Sequence, residues 1–172
     1  MTGKCIPWNN LPAKAVAGVM RDVRGFFDAV LRYEIGLWEV LDRDVHSTVG
    51  VTLGRLQALR VVGRHEGQAR VQDVADELLI TVGAASKLVD RLERDGTVQR
   101  TPNPDDRRSS LIALTASGHR VLSEGEATVG AALDRCLDPA VIADSELASA
   151  TELLAKLNEA LEASGEKTGV DA

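Results

Sequence analysis

Charged residues gather at two places where their types and spacing could do chemistry. The first is QRTPNPDDRRSSLIALTASG, residues 99–118, in which Asp105, Asp106, Arg107 and Arg108 sit side by side within turn-forming residues. Exposed charges add little to folding, so an arginine-rich tip is best read through what it can touch. A guanidinium on a stiff ribbon suits the narrow, electronegative minor groove of a nucleic-acid duplex. The neighbouring carboxylates can hold a guanidinium fork in one rotamer and so reduce the entropy lost on binding. A charged loop kept for solubility would have the same composition.

The second place is VGAASKLVDRLER, residues 82–94. Ser86, Lys87, Asp90, Arg91 and Arg94 fall on one face, and Val82, Ala85, Leu88, Val89 and Leu92 on the other. Thr81 fits the N-cap and Gly96 the stop beyond the C-terminus. Ser86 and Lys87 occupy the early turns, the part of such a helix that meets base edges in a major groove. Any solvated amphipathic helix shows some of the same residue types.

These segments must be positioned by the elements around them. Residues 1–13 read as an irregular tail, with Pro7, Asn9, Asn10 and Pro12. From about Ala15 to His46, Val23, Phe27, Val30, Leu31, Trp38, Leu41 and Val45 mark one face of a long helix, and Trp38 is expected in the core. A second helix is expected from Val51 to Arg64, with Leu53, Leu56, Leu59 and Val62 inward. VQDVADELL gives a short third helix, so that it and the Val82 helix form a helix-turn-helix. Val98–Thr101 and Ser110–Leu114 read as strands of a hairpin. Thr115 caps a helix from Ala116 to Leu137, and a last helix spans Ser145–Ala163. Leu147, Leu154 and Leu161 recur every seven residues there, with Leu157 between them, as in a coiled-coil seam. Residues 164–172 read as a frayed tail.

The whole-chain balance limits where a polyanion could meet this protein. The formal net charge is −6 over 172 residues. Residues 1–110 hold 16 Lys/Arg against 15 Asp/Glu, whereas residues 111–172 hold 4 against 11, which confines nucleic-acid binding to the first two thirds. Aromatics make up 3%, so the core rests on Leu, Val and Ala, which favours packed helices. Two cysteines, Cys5 and Cys136, form neither a disulfide framework nor a zinc finger. His46, His65 and His119 lack metal-ligand spacing. No signal peptide or transmembrane run is visible, and the expected location is cytoplasmic. No glycine-rich phosphate loop or nucleophile motif supports an enzyme, and the solvated Asp105 and Asp106 suit no acid–base role. No cofactor is expected.

Asp106, Arg108, Leu114, Thr115 and Gly118 fit the pattern Asp-x-Arg, five residues, Leu-Thr, two residues, Gly, and KLVDRLERDG leads into it. Together they resemble the MarR family of winged helix-turn-helix transcriptional regulators, closely over Leu53–Gly118. The resemblance implies a mainly α fold with a small β-hairpin wing, occupying residues 14–163. Residues 14–50 and 116–163 would supply dimerisation helices and residues 51–115 the DNA-binding lobe. It implies a homodimer on palindromic double-stranded DNA, acting as a repressor released by a small aromatic or anionic effector. Thr81, Ser86, Lys87 and Arg91 would serve on the recognition helix, and Asp106, Arg107 and Arg108 on the wing, with Arg108 in the minor groove steadied by Asp106. Leu147, Leu154, Leu157 and Leu161 would line the dimer interface.

For the effector, Tyr33, Trp38, Arg55 and Gln57 are candidate pocket residues, although Arg55 and Gln57 are as consistent with plain surface positions. Where many members carry an aromatic stretch in the second helix, this chain has Gly54-Arg55-Leu56-Gln57. Oxidant sensing through Cys5 is the alternative mechanism; without tyrosines beside it, Cys5 reads better as a bystander thiol. A helical dimer that works through protein partners remains a further alternative.

Overall fold

The computed structural model describes residues 22–104, 106 and 109–165. Its elements run α1 (Val23–Val49), α2 (Leu53–Arg64), α3 (Val71–Glu77), α4 (Val82–Arg94), β1 (Val98–Pro102), β2 (Ser110–Leu114), α5 (Ala116–Cys136) and α6 (Asp144–Gly165). The chain divides into two units, one ending at Leu37 and the other beginning at Trp38, so α1 crosses the boundary.

The second unit is built around α2. Leu53, Leu56, Leu59 and Val62 are buried as their spacing requires. Around them close Val74 and Ala75 from α3, Ala85, Val89 and Leu92 from α4, and Val98 and Ile112 from the hairpin. Leu41 and Val45 are the buried residues of α1. Thr52 caps α2, Thr81 caps α4 and Thr115 caps α5, each accepting a backbone N–H three residues on. Each cap relieves one of the donors that a helix start leaves unpaired.

β1 and β2 pair antiparallel, with Val98 opposite Leu114, Arg100 opposite Ile112 and Pro102 opposite Ser110. The segment ahead of α3 joins them: Ile112 N donates to the Ala69 carbonyl at 2.8 Å. Gly96, at φ +71°, turns the chain from α4 into β1 in the left-handed region that glycine enters freely. The Leu-Thr-x-x-Gly run then has a steric meaning. Thr115 N donates to the Thr97 carbonyl at 3.0 Å, and the Thr115 hydroxyl to the Gly96 carbonyl at 2.7 Å. The first turn of α5 is thereby drawn onto Thr97, and a Cβ at Gly118 would collide with the Thr97 carbonyl.

Two placements differ from expectation. Trp38 is 44% exposed rather than in the core, and Val23, Phe27, Val30 and Leu31 of its stripe are exposed as well. Val82 is 48% exposed, although it shares an apolar period with buried Ala85, Val89 and Leu92. α6 is exposed at Leu147, Leu154 and Leu161 and half-buried at Leu157. No helix among the described residues is long and apolar enough to cross a membrane.

Candidate nucleic-acid interface

α3 and α4 form a helix-turn-helix whose start is fixed by Asp73, which accepts the Arg70 backbone N–H at 2.6 Å. The turn between them closes through Ile80 N to the Ala75 carbonyl at 3.0 Å. Thr81 accepts the Ala84 N–H at 3.2 Å, so its hydroxyl oxygen serves the start of α4.

The charge pattern of α4 is set from outside the helix. Arg100, on β1, places Nη2 2.8 Å from Asp90 and Nη1 3.1 Å from Glu93. Arg55, on α2, places Nη1 2.7 Å from Asp95 at the helix C-cap. Every carboxylate on or capping α4 therefore meets an arginine from another element. Lys87, Arg91 and Arg94 are exposed and have no ion-pair partner among the described residues. Such exposed pairs stabilise the fold by about 1 kcal/mol at most. Their larger effect is on sign: the acids of the helix are neutralised and its cations are left outward. The groups that do this, Arg55 and Arg100, are fixed by tertiary packing, and the sequence reading assigned neither to this role.

A groove of about 560 Å³ runs along this surface. It is lined by Arg70, Val71 and Gln72 at the start of α3, Val82, Ser86 and Asp90 of α4, and Arg100, Ser109 and Ser110 of the wing. Ser86 is thus brought to the wing base, while Lys87 and Arg91 stand outside the groove lining. Sequence pattern does not point to Arg70, Val71, Gln72, Val82, Arg100, Ser109 or Ser110 as part of this surface. Arg100 was legible only as a polar position two residues beyond buried Val98 on β1.

The wing is pinned below its tip. Asn103 is 2% exposed, and its Nδ2 donates to Ser109 Oγ at 2.9 Å. Ser109 N donates to the Asp106 carbonyl at 3.0 Å. Arg107 and Arg108 lie outside the described residues, as does Cys5. Cys136 is exposed with a free thiol.

Of the effector candidates in the second unit, Trp38, Arg55 and Gln57, none lines a described groove. Tyr33 is exposed on the first unit's part of α1. Arg55 is engaged with Asp95, and the Gln57 side-chain oxygen accepts from Arg60 Nη1 at 3.1 Å. A separate groove of about 350 Å³ is lined by Val62, Gly63, Glu66, Gly67, Ala113, Leu114 and His119, none of them among those candidates. Between α2 and α3, Glu77 accepts from His65 Nε2 at 2.7 Å and pairs with Arg64. The hydrogen bond from His65, with the Arg64 charge behind it, holds the Glu77 carboxyl below its ordinary pKa of 4.5.

A helix-turn-helix followed by a two-stranded wing, with its cations outward, defines a winged helix-turn-helix protein. The MarR family model matches residues 49–109. The multiple antibiotic resistance protein MarR of Escherichia coli is 36% identical over 80 residues, covering 46% of this chain and 55% of that protein. The HTH-type transcriptional repressor MdtR of Bacillus subtilis is 31% identical over 113 residues, 66% of this chain and 71% of its own. Among solved structures, Streptococcus pneumoniae FabT in complex with DNA superposes with a TM-score of 0.70 at 19% identity, over 82% of this chain and 98% of that one. CouR from Rhodococcus jostii bound to p-coumaroyl-CoA gives 0.66 at 25% identity, over 82% and 95%. The chain belongs to the MarR family of transcriptional regulators. Its named relatives are regulators and not enzymes.

Proposed function

We propose that this protein is a cytoplasmic repressor that binds palindromic double-stranded DNA as a homodimer and releases it when a small aromatic or anionic effector binds. The observation that carries the reading is the electrostatic arrangement of α4. Arg100 and Arg55 neutralise its acids, and Lys87, Arg91 and Arg94 face outward without partners among the described residues. On a chain of net charge −6, that local inversion of sign is what a polyanion requires. Ser86 and Lys87 meet base edges in the major groove, and the wing, with Asp106 steadying Arg108, enters the adjacent minor groove.

The dimer reading rests on apolar faces that the chain leaves exposed: Val23, Phe27 and Leu31 on α1, and Leu147, Leu154 and Leu161 on α6. FabT was solved with DNA and CouR with an acyl-CoA, which supports both a duplex partner and a small-molecule effector for this relative. A gel shift with a random duplex library and excess polyanion competitor tests the DNA reading. Retention of a sequence-enriched fraction supports it. Loss of all retardation at low salt contradicts it and leaves a helical dimer acting through proteins.

A further inference from the structure

The turn that leads into α4 and the first residue of that helix hold apolar side chains that the fold leaves largely or half exposed. Leu79 is 92% exposed and sits at φ +53°, in the left-handed region where a leucine is strained. Its side chain buries almost nothing in return. Two residues beyond Thr81's neighbour Ile80, Val82 opens α4 and is 48% exposed, although its period with Ala85, Val89 and Leu92 belongs to the buried stripe. Val82 instead lines the groove with Ser86 and Asp90, four and eight residues on, and so shares their face. An observed outlier of this kind supports an inference of function.

The surroundings identify what such a tip would meet. Arg70, Ser86 and the Arg100–Asp90 pair line the groove that Val82 enters, Leu79 stands outside that lining, and exposed Lys87 directly follows Ser86 on α4. An apolar tip framed by cations and hydroxyls, at the leading end of a recognition helix, is matched by one feature of a duplex. In the major groove the apolar group on a base edge is the 5-methyl of thymine. A protein partner would find a small apolar patch beside cations that have no ion-pair partner among the described residues, a poorer match in charge.

We propose that Val82 and Leu79 form an apolar tip that packs on thymine methyl groups and makes both residues specificity determinants. This rests on the reading of α4 as a DNA-recognition helix, and it names what the front of that helix reads. The left-handed turn holds Leu79 outward, and the first turn of α4 holds Val82 toward the groove.

The experiment selects sites from a random duplex library with the full chain, then replaces each enriched thymine by deoxyuridine. That exchange removes the methyl and leaves every hydrogen-bonding group in place. Wild type is expected to lose about fourfold in affinity per contacted methyl, the value of burying one carbon. Val82→Ala and Leu79→Gly are expected to bind thymine and deoxyuridine duplexes alike, whereas Lys156→Gln, on α6, keeps the discrimination. Leu79→Gly, freed of the strained leucine, is expected to melt no lower than wild type, which separates lost recognition from lost fold. Selective binding by wild type without thymine–deoxyuridine discrimination overturns the tip and leaves the DNA reading intact. Undiminished discrimination in both variants overturns it too, as does a change of sedimentation in Leu79→Gly in place of a change in discrimination. Failure of wild type to bind or enrich any duplex removes the DNA reading and the tip with it.

Discussion

On the proposed reading, Arg100 serves binding without touching the duplex. Its guanidinium spans Asp90 and Glu93, both on α4. A carboxylate left unpaired a few ångströms from a phosphate costs about 1 kcal/mol even in bulk water. Arg100→Met therefore should weaken duplex binding about tenfold, while shifting the melting temperature little because exposed pairs stabilise weakly. Adding Asp90→Asn and Glu93→Gln should restore most of the affinity, since the charges that needed neutralising are gone. Binding titrations of the three proteins check this, and an unrescued triple variant would mean that Arg100 itself contacts DNA. Reading Arg100 from sequence alone was not feasible. Its partners lie seven and ten residues back, and only the turn at Gly96 folds the strand onto the helix.

The elements themselves were legible because their ends carry chemistry. Thr81, Thr115 and Gly96 stand where a cap or a left-handed turn is needed, and the described helices begin or stop there. Which apolar face is covered by the chain was not legible. Period alone places Val82 with Ala85 and Trp38 with Leu41, yet Val82 and Trp38 are exposed. Apolar periodicity reports a face that avoids water, and says nothing about whether the chain, a second copy or a ligand covers it. The joint between α2 and α3 makes a separate prediction. Because Glu77 has its pKa lowered by folding, its bond to His65 adds stability above the ordinary value of 4.5, and that stability is lost as pH falls through the lower folded value. Glu77→Gln should then flatten the acid limb of stability against pH below about 4.5, measured by urea unfolding at stepped pH. An unchanged acid limb would show that the pair contributes nothing to the joint.

At the scale of the molecule, the acidic and the cationic surfaces lie apart in sequence. Residues 111–172 carry the acidic excess, and α6 within them exposes Leu147, Leu154 and Leu161. Burying such side chains in a partner is worth about 1.5–3 kcal/mol each, and a carboxylate among them would remain unpaired. On the proposed homodimer, in which each lobe would read one half-site, Leu154→Asp should yield monomers in sedimentation and lose DNA binding together. A variant that stays dimeric would place the interface elsewhere.

If the cations of α4 neutralise phosphates, a salt titration of duplex binding reveals it most directly. Wild type is compared with Arg91→Gln/Arg94→Gln and with Lys156→Gln, whose lysine pairs with Glu152 on α6. Each lost phosphate contact should lower the slope of log affinity against log salt by roughly 0.9. A flatter slope and weaker binding are expected for the α4 variant, and the wild-type slope for Lys156→Gln. Equal slopes for the wild type and the α4 variant would contradict phosphate neutralisation by α4.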